Sequence, residues 1–122
     1  MTHFRISARA KSFVYAFAGL GFMLRTQHNA WLHAATSIVV VVVGMALRVT
    51  LADWRWLVVA IAMVWVAETF NTAVEYVCDV VSPGYSETVK HAKDIAAGAV
   101  LLCAGAAVVI GVCTLMPYVL PH

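Results

Sequence analysis

Charge is scarce in this chain. Only 11% of its 122 residues are Asp, Glu, Lys or Arg, while 63% are hydrophobic. A soluble domain is nearer half apolar and a quarter charged, so the composition excludes that class and reads as an integral membrane protein. The net charge is only +2. No basic cluster with interleaved aromatics appears, which argues against a nucleic-acid partner. Cysteine is rare, and Cys78, Cys103 and Cys113 stand isolated in apolar segments. They show neither metal-ligand spacing nor a disulfide framework, and read as small buried hydrophobes. There is no Walker A loop and no kinase glycine-rich signature, so a nucleotide site here would be unlike those of soluble folds. Arg5, Arg9 and Lys11 are not followed by the apolar region and cleavage site of a signal peptide, which leaves insertion to the first true span. No internal repeat or low-complexity segment is apparent.

What the chain has instead is long apolar runs. Its length allows one domain, residues 1–122, with about three spans of ~20 residues. Residues 5–25 read as an amphipathic surface helix. Ile6, Ala10, Phe13, Phe17, Leu20 and Leu24 recur at three- and four-residue steps, with Lys11 and Tyr15 on the opposite face. Gly19 and Gly21 are expected to permit close packing or a bend. The first span is expected over residues 30–47. Its centre, Ile38 to Val43, is a β-branched run that length and context assign to a membrane helix. Residues 48–56 read as a short loop in which Asp53 caps the next helix and Trp54 and Trp56 anchor at the interface. The second span covers 56–81. Ser82-Pro83-Gly84-Tyr85 is a turn signal. The third span covers 95–116, ended by Pro117 and Pro121, and its small-residue start, Ala96 to Ala99, suits close helix contact. The expected fold is therefore all-α: three transmembrane helices and an N-terminal surface helix. Arg5, Arg9, Lys11, Arg25, Lys90 and Lys93 share one side of the membrane, and Arg48 and Arg55 the other. The positive-inside rule puts the N-terminus in the cytoplasm.

The polar residues of the second span form a pattern. Glu68, Asn71, Glu75 and Asp79 fall at about 0°, 300°, 340° and 20° around a helix. They make one narrow stripe about 16 Å long. Carboxylates beside a bilayer cost several kcal/mol unless they face protein, water or metal. Solvation at an emerging helix end accounts for Asp79 and for Glu75 less well. It accounts poorly for Glu68 and Asn71, which directly follow Val64-Trp65-Val66-Ala67. Glu68 lies deepest, where burial raises a carboxyl pKa and suits it to act as general base for a lipid hydroxyl. Glu75 and Asp79 could hold Mg²⁺, a hard cation that takes carboxylate and phosphate oxygens. Lys93 could neutralise phosphate charge, which is most of what phosphoryl transfer requires. Asn29 and His33 share a face at the start of the first span. Composition and spacing alone leave a proton-linked transporter equally open.

Glu68-x-x-Asn71-Thr-Ala-x-Glu75-x-x-x-Asp79, followed by Ala92-Lys93-Asp94 and Ala99-Val100-Leu101, closely resembles the prokaryotic diacylglycerol kinase family, which includes the undecaprenol kinases. Ser12-Phe13-x-Tyr15-Ala16-Phe17-x-Gly19-Leu20 and Asn29-x-x-x-His33 fit as well, nearer the undecaprenol kinase branch. The resemblance covers residues 9–112. It implies a small homotrimer in the bacterial cytoplasmic membrane, with composite active sites between subunits at the cytoplasmic face. It implies ATP as phosphoryl donor, Mg²⁺ as cofactor and a membrane lipid alcohol, undecaprenol or diacylglycerol, as acceptor. By motif position Glu68 matches the catalytic base and Asn71 the asparagine lining the site. Glu75 matches a metal-ligand glutamate, and Lys11, Tyr15, Asp79, Lys93 and Asp94 match nucleotide contacts. Asn29 and His33 are expected at the lipid substrate. Three positions depart from the family pattern. Gln27 stands where a second metal-ligand glutamate is usual, and Gly84 and Ser86 replace polar residues near the adenine. They keep two alternatives in view: a lipid phosphatase or other phosphotransferase on this scaffold, and a non-catalytic lipid-binding protein.

Overall fold

The computed structural model describes residues 5–120. Four helices follow one another: α1 (Ile6–Thr26), α2 (His28–Ala46), α3 (Leu51–Val81) and α4 (Glu87–Val119). No strand occurs among the described residues. The last three helices are long and apolar enough to cross a membrane, so the all-α membrane architecture read from the sequence holds.

α3 is the organising element. Leu57, Ala60, Glu68, Asn71, Thr72 and Cys78 are its buried residues, and it packs most extensively on α4 and then on α2. Short connections on either side of α3 make it antiparallel to both neighbours. The start of α2, the end of α3 and the start of α4 therefore gather at one end of the bundle. α1 touches the others near its C-terminal end, where Met23 is buried and Phe22 lies 5.7 Å from the Tyr76 ring of α3. The rest of α1 is exposed.

Several boundaries differ from the sequence reading, each for a local reason. Residues 51–56 are helix, because Thr50 rather than Asp53 is the cap. Thr50 Oγ1 accepts from the Asp53 backbone N–H at 3.2 Å and donates to Asp53 Oδ2 at 2.9 Å. This reciprocal pair starts the helix five residues early. The α2–α3 turn is a Schellman closure, with Val49 N–H on Gly44 O and Arg48 N–H on Met45 O, both at 3.2 Å. Its left-handed position is filled by Arg48 at φ 51°. Residues 87–94 are also helix, capped by Ser86, whose hydroxyl accepts from Val89 N–H. The polar stretch before the apolar run is thus the first two turns of α4. Pro117 does not end α4. It sits in the last turn, and the helix runs to Val119. Pro121 lies outside the described residues.

An added Cβ at Gly19 or Gly21 would meet nothing within 4 Å, so the close packing expected at these two is not made within the chain. The close approach is at Gly44, where an added Cβ would stand 2.8 Å from Trp54 Cη2. At the far end of the bundle from Glu68, the Tyr118 hydroxyl of α4 accepts from Thr50 N–H at 3.1 Å and donates to Asp53 Oδ2.

Candidate active site

The stripe read from the sequence lies on the inward face of α3. Glu68 is 2% exposed and Asn71 6%, Glu75 is half-buried and Asp79 is exposed. Burial thus falls step by step along the helix towards its C-terminal end.

Glu68 is matched from α2. His33 Nε2 stands 3.4 Å from Glu68 Oε2. A second contact lies one turn deeper on both helices. Trp65 Nε1 donates to Ser37 Oγ at 2.9 Å, and Ser37 in turn donates to the His33 carbonyl at 2.6 Å. The His33 and Trp65 rings meet edge-on at 6.3 Å. Ser37 and Trp65 were not among the candidates from sequence, though the signal was available: Ser37 follows His33 by four residues and Trp65 precedes Glu68 by three, the same-face spacings of a helix.

Asn71 Nδ2 donates to Glu75 Oε1 at 3.2 Å, which holds the carboxylate. Asn71 Oδ1 and Thr72 Oγ1 are buried with no hydrogen-bond partner. Such unpartnered polar groups are uncommon in native interiors. Glu75 and Asn71 Oδ1 together form a small set of hard oxygen donors, the type Mg²⁺ prefers with phosphate and water oxygens completing its shell. Among the described residues no group of three or more His, Cys, Asp or Glu side chains is assembled as a metal site. Gln27 is half-buried at the break between α1 and α2.

At the polar end, Lys93 Nζ of α4 bonds Asp79 Oδ1 of α3 at 2.6 Å. Asp94 takes Lys90, at 2.7 Å. These residues and the 82–86 turn, including Gly84 and Ser86, line an open cleft of about 380 Å³. Lys90 is its addition to the residues expected from sequence. Lys11 and Tyr15 are exposed on α1. They lie about 18 and 12 Å along the helix from Met23, where α1 is anchored, and are not gathered with the others. Asn29 is exposed and takes no part in the His33–Glu68 contact. The structure thus joins His33 with Glu68, Asn71 with Glu75, and Asp79 with Lys93 along one line, from the apolar interior to the charged end.

Comparison with known proteins places the chain in a family. The model of the prokaryotic diacylglycerol kinase family matches residues 14–115. A diacylglycerol kinase of Synechocystis sp. is 41% identical over 107 residues, which are 87% of this chain and 61% of that protein. An undecaprenol kinase of Bacillus subtilis is 33% identical over 107 residues, covering 88% of this chain and 87% of the relative. The chain thus spans less than two thirds of the cyanobacterial protein's length and most of the Bacillus protein's. The chain belongs to the prokaryotic diacylglycerol kinase family, a family of membrane lipid kinases.

Proposed function

We propose that this protein transfers the terminal phosphoryl group of ATP to the hydroxyl of a membrane lipid alcohol, at the cytoplasmic face. The observation that carries the reading is Glu68: a carboxylate 2% exposed, faced by His33, at the apolar end of a line of polar groups that finishes in the Lys93–Asp79 pair. A base at the lipid end and a cation at the aqueous end is the polarity that a transfer from a soluble donor to a bilayer acceptor requires.

Glu68 takes the proton of the lipid hydroxyl. The freed oxygen attacks the terminal phosphorus, the bond from that phosphorus to the bridging oxygen breaks, and ADP leaves. Asn71 holds Glu75 by its amide N–H, so Glu75 and Asn71 Oδ1 are the residues that would hold Mg²⁺, with Gln27 as a neutral third ligand. Bound there, the ion would neutralise phosphate charge and orient the donor. Lys93 exchanges Asp79 for phosphate oxygens, and Asp79, Asp94, Lys11 and Tyr15 contact the nucleotide. Undecaprenol is the preferred acceptor over diacylglycerol, on the Asn29-x-x-x-His33 pattern. The working form is a homotrimer, in which a neighbouring subunit supplies what the exposed Lys11 and Tyr15 lack within one chain.

The test is transfer of label from radioactive ATP to lipid in mixed micelles with Mg²⁺, with undecaprenol and diacylglycerol offered separately. Transfer is expected in the wild type and is expected to fall at least about 100-fold in Glu68→Gln, the scale of a lost general base. Undiminished transfer in Glu68→Gln overturns the assignment of the base, and no transfer to either lipid overturns the kinase reading.

A further inference from the structure

Glu68 is the most enclosed carboxylate among the described residues, and the proposed transfer leaves a proton on it at every turnover. A lipid alcohol and ATP give a phosphomonoester, ADP and one proton. The phosphomonoester keeps little of that proton at neutral pH, because its second pKa is about 6. Glu68 must therefore be emptied before it can act again. The helices packed around it offer few acceptors. α4 carries no Asp, Glu, Lys, Arg or His from Ile95 to Val119. On α3, Asn71 gives its amide to Glu75. Lys93 and Lys90 are held by Asp79 and Asp94, and Arg25 of α1 turns back to Gly21 O at 3.2 Å. Among the described residues His33 alone pairs with Glu68, its Nε2 3.4 Å from Oε2. An imidazole accepts a proton at one nitrogen and releases one from the other. Nδ1 of His33 has no hydrogen-bond partner among the described residues, and the side chain is 19% exposed where Glu68 is 2%. His33 also stands five residues, about 7.5 Å, from the start of α2. Asn29, exposed and one turn nearer that start on the same face, continues the polar line outward.

We propose that His33 is the proton exit of Glu68, the relay that returns the buried carboxyl to its ionised form between turnovers. The assignment rests on the kinase reading for the source of the proton. The Glu68 O–H bond breaks as an N–H bond forms at His33 Nε2. The imidazolium then gives its Nδ1 proton to water at the start of α2, and a half-turn of the ring or exchange with water restores the first tautomer. His33 touches no reacting atom. It acts through Glu68, on repeated turnover and not on the transfer itself.

The full-length protein in lipid nanodiscs containing undecaprenol is mixed with radioactive ATP and Mg²⁺ and quenched at millisecond intervals. His33→Gln keeps a hydrogen-bond donor towards Glu68 but cannot carry a proton. It is expected to phosphorylate about one lipid per site at the wild-type rate and then to continue about 100-fold more slowly, the low end of what a positioned proton-transfer group contributes. His33→Ala, which opens a space for a free ring, is expected to show the same burst, and imidazole in the buffer is expected to raise its slow phase in proportion to concentration while leaving the burst unchanged. First and later turnovers slowed equally would mean that His33 only positions the carboxylate, and overturns the proposal. Wild-type turnover in either variant also overturns it. A second readout needs no catalysis. The infrared band of the Glu68 carboxyl, identified by its loss in Glu68→Gln, is followed after a pH jump without substrate, and it is expected to relax about 100-fold more slowly in His33→Gln than in the wild type. Equal relaxation in the two overturns the relay. Slowed relaxation in His33→Gln with no phosphate transfer in the wild type would reject the kinase reading alone, and wild-type transfer with equal relaxation would reject the relay alone.

Discussion

Trp65 reaches from α3 to α2 and donates its indole N–H to Ser37 Oγ at 2.9 Å, one turn deeper than the contact of His33 with Glu68. The two contacts are rungs of one ladder. The deeper rung is a neutral hydrogen bond among apolar residues, strong because water cannot compete. It fixes the register of α2 on α3, and so the height at which His33 meets the carboxylate. Trp65→Phe keeps an aromatic ring but removes the donor together with part of the indole's packed surface. It is expected to lower unfolding stability in detergent by at least about 1 kcal/mol, the usual net value of one such bond, with lost packing of the smaller ring added to it. It is also expected to reduce kcat for lipid phosphorylation while the KM for ATP stays unchanged. Thermal unfolding and initial-rate kinetics read the two effects separately, and a shift confined to the ATP KM contradicts the ladder.

Gln27 tests the metal side. An amide oxygen coordinates Mg²⁺ but brings no charge, so half-saturation should require more Mg²⁺ than a carboxylate would. Gln27→Glu is expected to lower the Mg²⁺ concentration for half-maximal transfer by about tenfold, on the scale of one retuned metal contact. A Mg²⁺ titration at fixed ATP checks it. An unchanged or higher requirement removes Gln27 from the metal shell.

Lys93 and Asp79 separate stability from function. Their contact is 2.6 Å long, yet both side chains are open to solvent. Exposed pairs of this kind contribute little to folding, since water and salt screen them. Lys93→Met is therefore expected to leave the unfolding midpoint unchanged while raising the KM for ATP by at least about tenfold, the cost of losing a charge-assisted phosphate contact. A lowered midpoint with normal kinetics would make the pair structural.

Much of this was legible in the sequence, and the residues show why. The stripe could be read because Glu68, Asn71, Glu75 and Asp79 lie on one helix, and helical geometry alone puts them on one face. The three apolar helices could be read because membrane composition overrides the β-branched run from Ile38 to Val43. What crossed between helices was less visible. Nothing in the order of residues says that His33 meets Glu68 or that Lys93 takes Asp79, whereas the Lys90–Asp94 pair lies within α4 at the i,i+4 spacing that sequence does show. The break after the first span was legible at residue 48, but its tight Schellman form was not, because the left-handed residue is Arg48 rather than glycine. Pro117 misled for the opposite reason. In the last turn of α4 its missing N–H leaves one carbonyl unmatched, but the ring does not prevent two more helical residues.

Gly44 is the glycine whose lack of a side chain is used in packing. An added Cβ would lie 2.8 Å from Trp54 Cη2 and 3.3 Å from Leu57 Cδ1. Gly44→Ala gains about 1 kcal/mol of helix propensity, but overpacking of this kind typically costs about 1–3 kcal/mol. The net expectation is lower stability, by on the order of 1 kcal/mol. Gly19→Ala meets no neighbour and is expected to stabilise by roughly 0.5–1 kcal/mol. Opposite signs for the two substitutions, measured side by side by thermal unfolding in one detergent, are the expected outcome. The same sign for both would mean that helix propensity outweighs packing at the Trp54 contact.

Tyr118 tests whether the far end of the bundle is purely structural. Its hydroxyl joins α4 to the start of α3 by accepting from Thr50 N–H and donating to Asp53 Oδ2, and Asp53 is half-buried. Tyr118→Phe removes both bonds at once, leaving the Thr50 N–H to water and Asp53 Oδ2 with the Thr50 hydroxyl as its remaining donor. Hydrogen bonds to charged groups contribute about 1.5–3 kcal/mol when sheltered, and partial exposure here lowers that, so a loss of about 1–2 kcal/mol is expected. The link lies at the opposite end of α3 from Glu68, Asn71 and Glu75. Below the unfolding transition the variant is therefore expected to phosphorylate lipid with wild-type kcat and KM, while its activity is lost at a lower temperature on heating. If kcat falls well below the transition, strain at the Thr50–Asp53–Tyr118 junction is transmitted along α3 to the buried carboxylate, and the two ends of the helix are mechanically coupled.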